Sequence, residues 1–189
     1  MLKKGKNKKH QLIVQLLLSI LVLGGVWYHN SCQRSIYPPQ QLELPQLTKS
    51  VSSQIIEHEG YSLSYNSDWL LPNWVAYELT AAEVDGDIPR ATHFYQDPLV
   101  VGAQADKDDF RNSGYDRGHM VAADDMKWSE TAMRQSFYLT NVCPRIPNFN
   151  AGIWKSFEIK GQKWATQYGK VYIACGPVVT NGKYGKKKK

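Results

Sequence analysis

The 189 residues suffice for one domain of ordinary size plus a leader, and 42% hydrophobic with 12% aromatic content excludes a disordered chain. The net charge of +6 resides in nine lysines at the two ends (Lys3, Lys4, Lys6, Lys8, Lys9 and Lys186 to Lys189), which leaves 14 of the 23 basic residues against 17 acidic ones. The high pI therefore reports the tails, and any contact with a polyanion must come from a local cluster.

Residues 1–32 read as an N-terminal signal anchor or signal peptide. The apolar run Leu12 to Trp27 is 16 residues, roughly 24 Å of helix, close to but short of the ~30 Å hydrocarbon core. No small-x-small cleavage site stands out, and Trp27 and Tyr28 suit a membrane interface, which favours an anchor. With the lysines inside, the body is expected outside the cytoplasm, membrane-anchored and facing the periplasm or exterior, or secreted. Residues 33–54, with Pro38, Pro39 and Pro45, read as a linker. The folded domain is expected over 55–185, followed by the lysine tail at 186–189. The cysteines are Cys32, Cys143 and Cys175; an odd count is no disulfide framework, and the last two read either as a pair or as two small thiols.

Along the domain, Tyr61 to Tyr65 alternates as a short strand, and Trp74 to Thr80 reads as a more buried one. Asp85-Gly86-Asp87 and Asp97-Pro98 are turn signals. Gln104 to Tyr115 is a polar loop whose aspartates lack the calcium-loop pattern. Ser129 caps a short helix through Ser136, and Phe137 to Thr140 is expected as a strand. From Asn150 to Tyr168 the period is helical, with Ile153, Phe157, Trp164 and Tyr168 as the apolar stripe and Gly169 as the C-cap. Val171 to Cys175 closes the series as a strand.

Asp116-Arg117-Gly118-His119-Met120 places a carboxylate, a guanidinium and an imidazole within four positions. That combination suits work on a phosphate: arginine meets the anion, and histidine has a proton affinity near neutral pH. Asn150 supplies an uncharged oxygen at a helix start, fitting a hard ion such as magnesium that keeps several waters. Glu158, eight residues on, lies about 12 Å further along an ideal helix and is rotated by roughly 80°, so direct ligation of one ion by both is disfavoured. No histidine or cysteine pair has zinc spacing.

Asp116-Arg-Gly-His119, Thr140-Asn-Val-Cys-Pro144, Asn148-Phe-Asn-Ala-Gly-Ile-Trp154 and Glu158, in this order, resemble the DNA/RNA non-specific endonuclease family. Its endonuclease G-like members carry a ββα-metal (His-Me finger) site. The resemblance implies an α+β fold with a mixed or antiparallel sheet core. It implies a metal-dependent endonuclease hydrolysing phosphodiester bonds of DNA and RNA. His119 would be the general base, Asn150 the protein ligand to one Mg2+ (Mn2+ being the substitute), and Glu158 the partner of a water around that ion. Arg117 would support the phosphate or the loop, Asn141 would hydrogen-bond near the base or the metal waters, Arg90 would be a second phosphate contact, and Asp116 would fix the turn. The expected partners are DNA and RNA, and the membrane through the apolar segment; a homodimer is compatible with the sequence. Two departures stand out. Arg145 occupies a place where the family commonly has glutamine, though an arginine there can still meet a phosphate. The chain also stops soon after Cys175-Gly-Pro177, where family domains continue, so the C-terminal part of the fold is expected to be truncated. The rival expectation is a catalytically impaired, membrane-tethered nucleic-acid-binding protein on the same scaffold.

Overall fold

Alternation of apolar and polar residues builds the first half of the fold. The structure, a computed structural model, describes residues 43–45 and 51–179; the leader, most of the linker and the lysine tail lie outside the described residues. Strands β1 (Gln54–Glu57), β2 (Ser62–Asn66) and β3 (Leu71–Thr80) form an antiparallel meander, and β6 (Lys170–Cys175) pairs antiparallel with β3, giving the sheet order β1-β2-β3-β6. Leu63, Val75, Tyr77 and Leu79 are buried together with Val121 and Met126, so one sheet face and the loop after His119 share a core. The strands expected from Tyr61, Trp74 and Val171 are all present.

Thr80 ends β3 and starts α1 (Ala81–Val84) through a reciprocal cap with Glu83, a helix too short to show a period in the sequence. Asp106 and Asp109 make the same reciprocal cap around a one-turn 3-10 helix, Lys107–Phe110, which consumes carboxylates of the polar loop. Ser129 caps α2 (Glu130–Ser136), its hydroxyl accepting from the Ala132 amide.

The strand expected over Phe137 to Thr140 is not there. Tyr138 makes only an isolated bridge to Tyr95, and Leu139–Asn141 is a 3-10 turn. The strand, β5, comes next, at Val142–Arg145, and pairs with β4 (Asp116–His119) in a two-stranded ribbon with Asp116 opposite Arg145 and His119 opposite Val142. The buried Asn141 side chain imposes the turn. It donates to the carbonyls of Val121 and Ser136 and accepts from the Val121 amide, geometry that an extended chain would not provide.

After a turn at Pro147–Phe149, the chain makes a π-turn at Asn150–Trp154 and continues as α3 (Lys155–Tyr168), ended by Gly169 at φ 87°, a left-handed position that suits glycine. The helix has the expected period but the opposite phase. Ile153, Phe157, Trp164 and Tyr168 are 54%, 59%, 42% and 67% exposed, whereas Gly161 and Ala165 are buried against the sheet. Close approach explains the reversal: a Cβ on Gly161 would stand 3.3 Å from Ile173 Cδ1, tighter than most contacts. Gln162 adds a polar tie, donating to the buried Asp125 carboxylate at 2.8 Å, which also accepts from Tyr77 Oη at 2.7 Å. Cys143 and Cys175 are free, half-buried thiols.

Candidate active site

The β4–β5 ribbon and the start of α3 bring Asp116, Arg117, His119, Arg145, Asn150 and Glu158 together, although the sequence separates the first two groups by more than twenty residues. His119 ends β4 with its ring enclosed by aromatic neighbours. Phe94 lies 5.2 Å away and Phe137 4.7 Å away edge-on, centroid to centroid. Its Nε2 is buried with no hydrogen-bond partner. Burial, and then the charges of Arg90, Arg145 and Arg117, push the ring down to about 3, so it is neutral at pH 7. The segment Pro89 to Tyr95, which in sequence shows only as irregular, supplies Phe94 to this box and Arg90 to its rim.

Arg90 is half-exposed, 3.4 Å from Asp124, with its guanidinium 5.4 Å from the Phe137 ring. Arg117 is exposed and lies 4.6 Å over Phe94. Both flank His119 from the solvent side and retain free N–H groups. Arg145 differs. Its side chain is buried, with NH2 donating to the His119 carbonyl at 2.8 Å and to Met120 Sδ at 3.4 Å. NH1 donates to Asn150 Oδ1 at 3.1 Å, and the guanidinium lies flat over Trp154 at 3.8 Å. Gly118 makes room for it, since a Cβ there would meet Arg145 Nε at 2.7 Å.

Asn150 sits in the π-turn, half-buried, and its Nδ2 donates to Asp116 Oδ2 at 3.1 Å. The amide orientation is fixed by chemistry: a guanidinium only donates and a carboxylate only accepts, so Oδ1 must face Arg145. Asp116 thus holds the Asn150 amide by its nitrogen. The π-turn also revises the placement of Glu158. One extra residue in a turn absorbs about 100° of rotation, which offsets the roughly 80° offset of an ideal helix and sets Glu158 almost in line with Asn150. Glu158 is half-buried, and burial raises its carboxyl above the usual range. Asn141 is fully buried, with its side chain committed to backbone groups, so it braces the loop behind His119 and does not reach the open side of the site.

The donor set suits a hard ion held mainly by water: one amide oxygen, a carboxylate in line with it, and no group of three or more histidine, cysteine or acidic ligands among the described residues. Asn150 Oδ1 is at present engaged by Arg145.

The family model described as DNA/RNA non-specific endonuclease matches residues 38–189. The chain belongs to the DNA/RNA non-specific endonuclease family. Among relatives of this family, the chain is 34% identical over 128 residues to human "Endonuclease G, mitochondrial", covering 67% of this chain and 43% of that protein. It is 46% identical over 132 residues to "Nuclease 1, mitochondrial" of Schizosaccharomyces pombe, covering 68% and 41%. A solved structure, of an EndoG/EndoGI complex bearing on EndoG inhibition, matches with a TM-score of 0.65 at 30% identity, covering 75% of this chain and 60% of that one. The chain thus spans less than half the length of the two named relatives. The α+β class and antiparallel sheet expected for the family are present. The expected location is corrected. Both relatives are named as mitochondrial, not as proteins of a periplasm or exterior. Among the described residues, no helix is long and apolar enough to cross a membrane, and the apolar leader lies outside them.

Proposed function

We propose that this chain is a metal-dependent endonuclease that hydrolyses phosphodiester bonds of DNA and RNA, with His119 as general base. The observation that carries this reading is the state of His119: a neutral imidazole with an unpartnered buried Nε2, held by aromatic rings beside two exposed arginines. A base needs a free lone pair at working pH, and a buried unpartnered nitrogen is costly to keep unless used.

Arg90 and Arg117 orient the phosphodiester against the ring. Seating an anion there cancels part of their push on the imidazole, so its proton affinity rises when water is to be deprotonated. His119 takes the proton of the attacking water on the ring nitrogen that carries its lone pair. Asn150 is the residue that would hold Mg2+, with Mn2+ as substitute, and Glu158, which the π-turn rotates almost into line with it, would hold a water around that ion. When bound, that ion supplies Lewis-acid stabilisation of the charge on the phosphorane and the leaving 3′ oxygen. Asp116 holds the Asn150 amide, Arg145 ties the ribbon to α3, and Asn141 fixes the loop that follows His119. Contacts made to phosphate rather than bases give little sequence preference and a strong salt dependence.

Incubating the full chain with plasmid DNA and with RNA, in magnesium and in EDTA, beside His119→Ala, tests the reading. Magnesium-dependent breakdown of both substrates that the substitution removes supports it. Binding without cleavage by a well-folded wild-type sample would sink it.

A further inference from the structure

We propose that Arg145 holds, with its own fixed charge, the oxygen through which Asn150 would take a divalent ion, and thereby sets how much of that ion the site needs. The proposal rests on the reading of Asn150 as the metal ligand. It concerns a side chain that the family pattern does not supply, because glutamine is the common residue there.

Three features of the ribbon make the arrangement specific. Arg145 is opposite Asp116 in the β4–β5 pairing, and the missing side chain at Gly118 lets the guanidinium cross to the far strand. The stack on Trp154 at 3.8 Å and the bonds to the His119 carbonyl and Met120 Sδ fix it there independently of Asn150. Its 3.1 Å bond to Asn150 Oδ1 then occupies one of the two lone pairs of the ligand oxygen with a cation that keeps its proton at any working pH. Asn150 is held between two opposite charges, Arg145 on its oxygen and Asp116 on its nitrogen.

An incoming ion must share Asn150 Oδ1 with the Arg145 donor or displace it, and in either case remain beside a guanidinium that its other contacts hold in place. Both effects weaken ion binding, the second through repulsion between a double and a single positive charge in a partly desolvated site. Glutamine in the same place can donate to His119 and release Asn150 without a charge. The wild-type site is therefore tuned to load at higher ion concentration than a site with glutamine.

Titration of the full chain with Mn2+, followed by the electron paramagnetic resonance signal of the free ion, reads this directly and needs no turnover. The comparison uses wild type, Arg145→Gln, Arg145→Met and Asn150→Ala, each checked for folding by circular dichroism and thermal melting. Methionine keeps an unbranched stem over Trp154, so it serves if the glutamine variant does not fold. Expected are binding at least about tenfold tighter in the uncharged variants and loss of binding in Asn150→Ala. Equal or weaker binding in the uncharged variants, with Asn150→Ala still deficient, overturns the role of Arg145 alone. Undiminished binding in Asn150→Ala overturns the ligand assignment and the proposal with it.

Discussion

The two sides of α3 follow opposite rules. Towards the sheet and ribbon it presents Trp154, Glu158, Gly161, Gln162 and Ala165, a stripe of small and polar residues with one tryptophan. Away from them it presents Ile153, Phe157, Trp164 and Tyr168, each more than two-fifths exposed. Burial on this helix is thus not a matter of hydrophobicity. The inward side is chosen for nearness and for chemistry: glycine and alanine let the backbone approach the sheet, and the polar residues meet Asp125 and the ribbon.

The sharpest way to separate the sides is by activity. His119→Ala should lower the rate of DNA hydrolysis by about a hundredfold to ten-thousandfold, the usual contribution of a positioned base. Phe157→Ala, on the outward side, should leave the rate within about twofold in the same fluorogenic cleavage assay. An outward substitution as damaging as His119→Ala would erase the distinction.

Stability gives the next contrast. Asn141→Ala would strand the Val121 amide and the carbonyls of Val121 and Ser136 without partners, costing about 3 kcal/mol in urea unfolding. A loss below about 1 kcal/mol would mean that water replaces the amide there.

Acid should reveal the buried imidazole. His119 takes a proton at about 3 when folded but near its ordinary 6.5 when unfolded, so the unfolded state binds more protons between these values. Its contribution is full above pH 6.5 and falls as pH drops through that window, by about 2 kcal/mol from pH 6.5 to 5. Asp125, raised from 3.8 to about 6 chiefly by burial, acts in the opposite sense: its folded form binds the proton first, so stability is lost as pH rises through that range. The difference between wild type and His119→Phe, measured as melting temperature against pH, isolates the histidine. Parallel curves for the two proteins would show that the ring does not titrate as described.

The smallest effect is expected on the helix itself. Gly161→Val should cost about 1–3 kcal/mol by forcing α3 off Ile173, whereas Trp164→Ala should change stability by less than about 0.5 kcal/mol.

These contrasts also mark what the sequence could carry. Strands β2, β3 and β6, the Ser129 cap and the Gly169 stop were legible because each depends on local chemistry: alternation, a hydroxyl acceptor, a left-handed residue. The residues of the site were legible as motif blocks, and the fold brings them together. The phase of α3 was not, since periodicity gives the spacing of a stripe but not what lies opposite it. The turn at Leu139–Asn141 was missed because Phe137 to Thr140 has strand-like composition, while the deciding bonds run from Asn141 to groups 20 residues away. Arg145 looked like a phosphate contact, and only the placement of Gly118, Trp154 and Asn150 around it shows that both its terminal nitrogens donate within the protein.

The π-turn at Asn150–Trp154 makes chain length itself a determinant of the site. Removing a single residue between Asn150 and Glu158, even one with an exposed side chain such as Ala151, would let the segment relax into ordinary helix. The seven-residue interval left would turn by about 700°, so the two oxygen-bearing side chains would stay within about 20° of one line, with every functional group still encoded. Tolerance of one deletion in this stretch and intolerance of a second would be the mark of such a counted interval.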